Sequence, residues 1–444
     1  MPVNPKKLIL VVIDGLTPEV FEAAVETRAA PTLASLAEAG TYGRATSTFP
    51  SLTPVCLASL ATGGGPDVHH IPHLVWYHRG ERRLVEYGSS FGAMRAVGTR
   101  RAIRDAIVEM NAEHLSRDAV TVFEALEDDG HVAAAVNVPC YRGRTRHVAT
   151  VPGLARPVDG PSRFFYYSLF ESDVTGAPLA IRGRAAGSID AYAAAVGRWL
   201  VTRDGFDFLF YYLPDYDFAS HALGPDGAQE ALARSDSAVA AVVEAAGGLG
   251  NFLERYDVVL CSDHGQTTVE RPFRLEEPLS DFRLLRPSTR GDAELAVTAS
   301  NRAGMVYLLP EARVEPRAIA ERLRREPALD VVMFREGEDA VAFRDGGELR
   351  FGPSDSGWQR RAWKALANPT AGDVLVSPAL GIELADLGGR HHVGGGSHGS
   401  LLDGDSQVPM LVVGGASPPT TIAGVAPLVL RHFGVEAPAY ARAA

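Results

Sequence analysis

Short apolar runs alternate with helical patterns along most of this chain. The apolar runs predict strands at 8–13, 132–138, 207–213, 257–261 and 409–413. Helical patterns lie between and around them, near 31–39, 54–62, 120–128, 188–202 and 226–254. This alternation predicts an α/β fold in which a mostly parallel sheet is sandwiched by helices. In such sheets the ligand site lies beyond the carboxyl ends of the strands, so the loops after these strands should carry the chemistry.

One long segment departs from the alternation. Residues 271–393 combine short β-like pieces, such as 303–309, with one helical pattern near 315–325. A chain of 444 residues also exceeds what a single hydrophobic core usually supports. We therefore expect an α/β core formed by 1–270 and 394–444. The intervening segment should be a smaller inserted α+β lobe that contributes to the entrance of the site.

Composition narrows the class of partner. The chain has 43 basic and 54 acidic residues, a formal net charge of −11, which disfavours nucleic-acid polymers and anionic membranes as partners. No apolar stretch approaches the roughly 20 residues of a membrane helix, and the run at 8–13 ends without a signal-peptide cleavage site. Cys56, Cys140 and Cys261 form an odd, widely spaced set. Such a set is typical of reduced core thiols, which favours the cytoplasm.

Acidic and imidazole side chains follow two of the predicted strands. Asp14 comes directly after the strand at 8–13, and Asp263 and His264 come just after the strand at 257–261. An Asp before a glycine commonly serves only as a turn or helix cap, and an Asp-His pair in a loop is often only hydrogen bonded. Placed at neighbouring strand ends, however, the three side chains could share a metal ion.

A second set of candidate ligands lies farther along the chain. Asp217 and His221 are four residues apart, so both side chains would lie on one face of a helix. Asp215 could replace Asp217, although its spacing from His221 fits one helical face less well. His398 lies in a glycine-rich loop whose backbone can fold tightly around an ion. Taken alone, Asp217 and His221 could form a surface ion pair, and His398 could be a flexible loop residue. Taken together, the Asp and His side chains suit zinc or manganese.

Thr53 is the candidate nucleophile. It is followed by Pro54 and a helical run that ends at Gly63, so Thr53 is predicted to be the helix N-cap. It could serve only as a cap. A hydroxyl at a helix N-terminus also faces a site that favours phosphate, and metal coordination would activate it. Three carboxylates and one alkoxide would balance the charge of two divalent ions.

In their order along the chain, these motifs resemble the alkaline phosphatase superfamily, and within it the type I phosphodiesterase/nucleotide pyrophosphatase branch. The likeness rests on Ile13-Asp14-Gly15, Thr53 ten residues before Gly63, Asp217 with His221, Ser262-Asp263-His264-Gly265 and Gly396-Ser397-His398-Gly399. The resemblance implies two divalent metal ions, zinc first and manganese as the alternative. It implies one zinc site formed by Asp217, His221 and His398, and a second formed by Asp14, Thr53, Asp263 and His264.

The resemblance also implies a reaction. We expect a two-metal hydrolase that cleaves small-molecule phosphate esters, with phosphodiesters as the first choice, through a phospho-threonine on Thr53. A phosphomonoesterase or a phosphonate hydrolase on the same site is the alternative. A metal-binding interaction protein without activity is the alternative from another class. A sulfatase is disfavoured because the residues after Cys56 do not fit its modification motif, and a phosphoglycerate mutase because that enzyme uses Ser.

The sequence leaves two roles without a single assignment: the nucleophile and the residue that binds a phosphate oxygen. Thr48 starts a Thr-Phe-Pro-Ser sequence that is similar to the nucleophile motif of the branch, so it is a minor alternative to Thr53. No Asn occurs from 54 to 110, where nucleotide diesterases carry one that binds a phosphate oxygen. The candidates for that role are His70, Tyr77, Arg79 and Arg142.

Overall fold

Two sheets organise the molecule. The structure, a computed structural model, describes residues 5–151, 153, 155–172, 174, 188–286 and 292–442. Within them, one sheet has eight strands and another has six. In chain order the strands of both sheets are β1 Lys7–Ile13, β2 Thr41–Thr46, β3 Ala133–Val136, β4 Arg163–Tyr166, β5 Phe170–Ser172, β6 Phe208–Leu213, β7 Tyr256–Cys261, β8 Leu295–Ser300, β9 Ala303–Leu308, β10 Leu329–Glu336, β11 Asp339–Arg344, β12 Gly347–Phe351, β13 Val374–Pro378 and β14 Gln407–Val413.

The eight-stranded sheet has the order β2-β14-β7-β1-β6-β3-β4-β5. Its centre is parallel, because β1 pairs in parallel with both β6 and β7, and the β6–β3 and β3–β4 pairs are parallel as well. The remaining pairs, at the two edges, are antiparallel. The prediction of a mostly parallel sheet between helices is therefore confirmed.

Helices cover both faces of this sheet. The main helices are α1 Pro18–Glu26, α2 Pro31–Ala39, α3 Thr53–Thr62, α4 Val122–Asp128, α5 Ile189–Thr202, α6 Asp215–Leu223, α7 Gln229–Ala245, α8 Leu249–Arg255, α9 Pro316–Leu323, α10 Gly357–Leu366 and α11 Val425–His432. Leu8, Leu10 and Val12 of β1 join a core with α3, α4 and α11. The alternate residues Ile9 and Val11 join a second core with α1, α2, α5, α7 and α8. The buried strand thus supplies side chains to both layers.

Several element boundaries differ from the sequence prediction. The helical pattern at 226–254 is divided into α7 and α8, because Gly247 and Gly248 both adopt positive φ angles between them. The segment between α3 and α4 contains a hairpin, Val75–His78 with Arg83–Glu86. It also contains four further helices, Pro66–His69, Phe91–Val97, Thr99–Arg104 and Asp105–His114.

The six-stranded sheet lies within the segment that was expected to form a lobe. Its strands pair antiparallel in the order β8-β9-β13-β10-β11-β12. Side chains from outside that segment, Phe49, Trp76 and Tyr77, share a hydrophobic core with Met305 and other residues of this sheet.

Further contacts tie the six-stranded sheet to the rest of the molecule. Arg302, in the turn between β8 and β9, is buried and pairs with buried Asp405 at 2.9 Å. The turn between β8 and β9 is therefore held firmly against the rest of the molecule.

The three cysteines, Cys56, Cys140 and Cys261, are buried and free, as expected for core thiols. Among the helices of the described segments, none is long and apolar enough to cross a membrane.

Candidate active site

The central strands bring the first candidate residues to one edge of the sheet. β1 lies between β6 and β7, with Ile13 opposite Leu213 and Val12 opposite Cys261. Because the three strands are parallel, the residues that follow them lie side by side. Asp14 follows β1, Asp263 and His264 follow β7, and α6 begins just after β6 and carries Asp217 and His221.

Thr53 lies at the start of α3 and faces this edge. Its Oγ1 atom is 3.2 Å from Nε2 of His264. The helix begins one residue earlier than predicted, because Leu52 occupies the N-cap position and Thr53 is the first helical residue. The expected N-cap role of Thr53 is therefore wrong by one position. Its hydroxyl still points from the first turn of the helix towards the candidate ligands.

The ligand atoms form two overlapping groups around His264. The donor atoms of Asp14, Asp263 and His264 all lie within 4.8 Å of one another, and so do those of Asp217, His264 and His398. In the first group, Nε2 of His264 is 3.2 Å from Asp14 Oδ1 and 3.6 Å from Asp263 Oδ2. The rings of His264 and His398 are stacked, with centroids 3.6 Å apart.

His221 contacts the second group from its outer side. Its Nε2 is 3.2 Å from Asp217 Oδ2, whereas Nε2 of His398 is 3.9 Å from Asp217 Oδ1. The rings of His221 and His398 have centroids 5.3 Å apart. The structure therefore brings all seven predicted side chains together, and places His264 between the two groups.

The three histidines share one hydrogen-bonding arrangement. Nδ1 of His221 is 2.8 Å from the carbonyl oxygen of Gly396, Nδ1 of His398 is 2.8 Å from that of Ser51, and Nδ1 of His264 is 3.1 Å from that of Gly265. A carbonyl oxygen can only accept, so each Nδ1 carries the proton and donates. Each Nε2 then presents a lone pair to the site, which is the orientation that metal-ligating histidines adopt.

The carboxylates carry charge that the protein leaves unbalanced. Burial, together with the charges of Asp263 and Asp217, raises the pKa of Asp14 well above its usual range, and burial also raises the pKa of Asp263. Asp14 Oδ1 and Asp263 Oδ2 are buried and accept no hydrogen bond. Within the described residues, no Lys or Arg forms an ion pair with these carboxylates. The donor set thus fits divalent cations, which would neutralise this charge.

Asp217 is in a different electrostatic environment. Burial alone would raise its pKa, but the imidazoles of His221, His398 and His264 outweigh that effect and lower it. In return, the charge of Asp217 overcomes burial and raises the pKa of His221. Burial, followed by the neighbouring His264, lowers the pKa of His398 well below its ordinary value. A neutral imidazole is the form that binds a metal.

A comparison of the sequence with models of protein families identifies the family of this chain. The model of the type I phosphodiesterase/nucleotide pyrophosphatase family matches residues 8–400. The chain belongs to this family. The family lies in the alkaline phosphatase superfamily, as the sequence motifs predicted, and membership supports phosphoester hydrolysis.

Solved structures with low sequence identity share the fold. Phosphonoacetate hydrolase from Sinorhizobium meliloti 1021 is 18% identical, with a TM-score of 0.61 over 97% of this chain and 96% of that chain. Murine ectonucleotide pyrophosphatase/phosphodiesterase 5 is 14% identical, with a TM-score of 0.62 over 98% and 96%. The human form of that protein is 13% identical, with a TM-score of 0.63 over the same shares. A search of curated proteins gave no match.

This phosphodiesterase family member has a cleft of about 500 Å³ above the ligand groups. Thr53, Asp14, Asp217, His221 and His398 lie at its base. Its walls are largely aromatic and apolar, formed by Tyr87, Phe91, Met94, Tyr167 and Phe218. Phe91 and Phe218 are 70% and 58% exposed, which is unusual for large apolar side chains. The walls could hold an apolar or ring-bearing part of a substrate.

Polar residues that the sequence did not single out also line this cleft. Asn301 is in the turn between β8 and β9, and its Nδ2 lies 2.9 Å from Nε2 of His398. Arg390 and His392 enter the cleft from the loop before His398. His392 stacks on His221 with centroids 4.2 Å apart. Asn301 is 97 positions from His398 along the chain, so no local signal pointed to it. Arg390 and His392 come shortly before the Gly396-Ser397-His398-Gly399 motif, and that nearness was the signal available.

Other unpredicted residues support the ligands. The Tyr212 hydroxyl donates to Asp14, and Gln266 donates to Asp217. Gly15 has φ +69°, and a Cβ there would lie 2.6 Å from Nε2 of Gln266 and 2.8 Å from Asp217 Oδ1. Glycine is therefore required after Asp14 by both its backbone angle and the close approach of Asp217. Gln266 comes two residues after His264 and directly after the Ser262-Asp263-His264-Gly265 motif. Its position next to this motif could have indicated it from the sequence.

Five sequence candidates lie outside the cleft, and each has another partner. The Thr48 hydroxyl is hydrogen bonded to Ser59 Oγ at 2.8 Å. Arg142 is buried and pairs with Glu124, and Arg79 pairs with Asp373. Tyr77 belongs to the core beside the six-stranded sheet, and the carbonyl of His70 accepts from Thr370. None of the five lines the cleft, so the structure does not support His70, Tyr77, Arg79 or Arg142 as the phosphate-oxygen partner.

The alternative ligand Asp215 is also used elsewhere. Its Oδ1 and Oδ2 atoms accept hydrogen bonds from the main-chain amides of Ile189 and Asp190, both at 3.2 Å. It therefore supports the start of α5, whereas Asp217 reaches the site.

Proposed function

We propose that this chain cleaves small-molecule phosphate esters, with phosphodiesters as the first choice, through a phospho-threonine on Thr53. The observation that carries the proposal is the position of Thr53 Oγ1, 3.2 Å from Nε2 of His264. His264 belongs to both groups of ligand atoms. A hydroxyl at this position is next to the metal ligands and at the base of a substrate-sized cleft.

Two divalent ions, zinc first and manganese as the alternative, are the proposed cofactors. Asp14, Asp263 and His264 would hold one beside Thr53, and Asp217, His221 and His398 would hold the other, with His264 close to both. When bound, the ions would lower the pKa of the Thr53 hydroxyl and of a water molecule and would neutralise phosphoryl charge. The Nε2 lone pairs of the three histidines and the unpartnered oxygens of Asp14 and Asp263 support this assignment.

The reaction has two in-line displacements. Thr53 Oγ1 attacks phosphorus, its bond to phosphorus forms, and the bond to the leaving oxygen breaks. Water then attacks the phospho-threonine from the vacated side, which breaks the bond to Oγ1 and restores Thr53. Asn301 is the proposed donor to a non-bridging oxygen, because its amide lies beside His398 at the base of the cleft. It would take the role for which residues 54–110 contain no Asn.

The segment 271–393 is proposed to contribute to the site entrance. Asn301, Arg390 and His392 all come from it and line the cleft. Phe91 and Met94, which also line the cleft, come from the helix Phe91–Val97, which packs against Gly388 of this segment. A substrate with an apolar or aromatic leaving group would contact these side chains. The buried free cysteines support the expectation of a reducing, cytoplasmic location.

A phosphomonoester or phosphonate is the second candidate substrate, and Arg390 favours it. Its guanidinium lines the cleft and forms no ion pair within the described chain. An unpaired cation there could bind the second charge of a dianion or a carboxylate on the substrate. The fold is shared with a phosphonoacetate hydrolase, which makes a phosphonate with a carboxylate group a reasonable probe.

The test compares a diester, a monoester and a phosphonate with the same aromatic leaving group on one zinc-loaded preparation. We expect the diester to have the highest kcat/KM. Arg390→Met should leave diester turnover within about threefold, with Arg198→Met, on the exposed face of α5, as the matched control. A tenfold or greater preference for monoester or phosphonate, lost in Arg390→Met, would replace the diester assignment by the second candidate. Absence of turnover on all three would favour a metal-binding protein without activity.

A further inference from the structure

A second cavity lies away from the catalytic cleft. It encloses about 640 Å³ and shares no lining residue with the cleft. One wall is α10, which follows the strands β10 to β12, and the other is formed by loops of the eight-stranded sheet region. We name it the Lys364 cavity, and its defining residues are Thr48, Phe49, Trp358, Arg361, Lys364 and Asp403.

Positive charge is concentrated on one wall of this cavity. Arg360, Arg361 and Lys364 all line it from α10. Within the part of the chain that is described, neither Arg361 nor Lys364 forms an ion pair with a carboxylate. Arg361 donates only to neutral groups, Ser406 Oγ at 2.6 Å and the Leu401 carbonyl at 3.2 Å. Asp403 is the acidic residue of the lining, and Asp67 lies against Gly65, which also lines the cavity. The lining cations still outnumber these acidic side chains.

Arg361 and Lys364 are partly shielded from water, whereas Arg360 is exposed. The Nε atom of Arg361 is buried and has no hydrogen-bond acceptor among the described residues. Burial lowers the pKa of Arg361 to about 10 and lowers the pKa of Lys364 as well. The charges of Asp403 near Arg361 and of Asp67 near Lys364 offset the effect of burial only in part. Holding cations away from water without a directly paired anion is unfavourable. A bound anion would supply the missing partner.

The rest of the cavity suits an organic body. Trp358 and Phe49 lie in its walls, and Phe49 is fully buried in the protein. The guanidinium of Arg344 lies 5.2 Å from the centroid of the Trp358 ring and pairs with Asp330 at 3.4 Å, so the ring is held in place. Apolar rings beside cations match a ligand that has both a flat or apolar part and an anionic group.

We propose that the Lys364 cavity binds a small organic anion, with its phosphate or carboxylate group on Arg361 and Lys364 and its apolar part against Trp358. The site is separate from the metal ligands. It nevertheless adjoins the catalytic segment, because Ser47 lines the cavity and its hydroxyl donates to the main-chain oxygen of Asp263. Ligand bound there would contact the stretch of chain that leads to Thr53.

The site can be tested without relying on catalysis. Full-length protein, freed of metal by a chelator, is titrated calorimetrically with phenyl phosphate, benzoate and inorganic phosphate. We expect saturable binding of the ring-bearing anions, and weaker binding of inorganic phosphate because it cannot contact Trp358. Which of phenyl phosphate and benzoate binds more tightly identifies the anionic group. Absence of saturable binding of both would overturn the proposal.

Variants assign the binding to this cavity. Lys364→Met and Arg361→Met should weaken binding by at least tenfold, and Trp358→Leu should remove the preference for a ring. Arg198→Met, on the exposed face of α5 and outside both cavities, should bind the probes as the parent protein does. The Lys364 side chain is half-buried and forms no hydrogen bond or ion pair with the described residues, so Lys364→Met should fold. Unchanged binding in that variant would refute the assignment. So would loss of binding in Arg390→Met alone, which would place the probe in the cleft.

Discussion

Thr53 Oγ1 lies 3.2 Å from Nε2 of His264, although the two residues are 211 positions apart in the chain. The contact arises because α3 begins at the edge where β1, β6 and β7 end. It joins the proposed nucleophile to the residue that both groups of ligand atoms share. A hydroxyl that served only as a helix cap would face its own first turn rather than this site.

The Thr53→Ala variant is predicted to lose at least a thousandfold in kcat/KM, since the attacking oxygen is removed. Its bound metal, measured by elemental analysis, should change little because Asp and His supply the other ligand atoms. Thr48→Ala is the matched control and should stay within about tenfold of the parent, since the Thr48 hydroxyl contacts Ser59 outside the cleft. The assignment fails if Thr48→Ala is inactive and Thr53→Ala turns over normally.

Metal removal is predicted to abolish activity, and zinc or manganese should restore it. Elemental analysis should find two ions per chain in the active protein. The chelated protein should unfold at a lower temperature, because Asp14 and Asp263 repel one another and retain oxygens without partners. Asp263→Asn should lose at least one ion, whereas Asp159→Asn, an exposed residue paired with Arg146, should lose none. Full activity in protein shown to contain no metal would contradict the two-metal proposal.

Asn301→Gly is predicted to lower kcat/KM by about a hundredfold, through loss of a hydrogen-bond donor to the transferred phosphoryl group. Glycine is chosen because Asn301 has φ +55°, which an alanine would adopt only with strain. Metal content should stay at two ions per chain. Asn251→Gly, an exposed position in α8, is the control and should keep full activity. If Asn301→Gly loses metal in proportion to activity, Asn301 positions His398 rather than contacting phosphate.

Asp190→Asn is predicted to stabilise the protein increasingly as pH rises. Burial, then the charge of Asp215, raises the pKa of Asp190 to about 7, against about 3.9 in an unfolded chain. A raised carboxyl pKa means that the folded state resists ionisation, so wild-type stability falls between about pH 4 and pH 7. Asn stays neutral and can keep the hydrogen bonds to Ser235 and the Asp215 amide. We expect a gain of about 4 kcal/mol in unfolding free energy at pH 8, shrinking towards pH 5.

Urea denaturation at pH 5, 6, 7 and 8 measures this gain. Asp204→Asn is the control of opposite sign, because its exposed carboxylate pairs with Lys7 at 2.9 Å and its pKa is lowered by that contact. The stabilisation from the Asp204–Lys7 ion pair is present when pH is above the pKa of Asp204 in the unfolded chain. It is lost only as pH falls below that value. The Asp204→Asn difference should therefore be constant from pH 5 to 8. A constant difference for Asp190→Asn as well would show that its ionisation does not limit stability.

The sequence by itself determined the parallel centre of the fold and the family. The apolar run of β1 must be buried on both faces, and Asp14 directly after it can only emerge at the carboxyl edge. The same local logic holds for Asp263 and His264 after β7. The four-residue spacing of Asp217 and His221 fixes their common helical face. These are short-range properties, which is why they can be read from neighbouring residues.

Only the tertiary structure decided which side chains complete the site. Asn301 reaches the cleft from the turn between β8 and β9 of the six-stranded sheet, and nothing in the residues beside it indicates a phosphate contact. Arg390 reaches it from the loop before His398. The sequence favoured Thr53 over Thr48 and left Thr48 as an alternative, and the packing of α3 places the Thr53 hydroxyl beside His264 and the Thr48 hydroxyl beside Ser59.

Tertiary structure also decided which sequence candidates lie outside the cleft, and it alone forms the second cavity. Arg142 became a structural ion pair because Glu124 is folded beside it. The Lys364 cavity exists because α10 faces loops from another part of the chain. Long-range packing determines which of several chemically equivalent residues reach the site. The local sequence around each residue contains no information about that outcome.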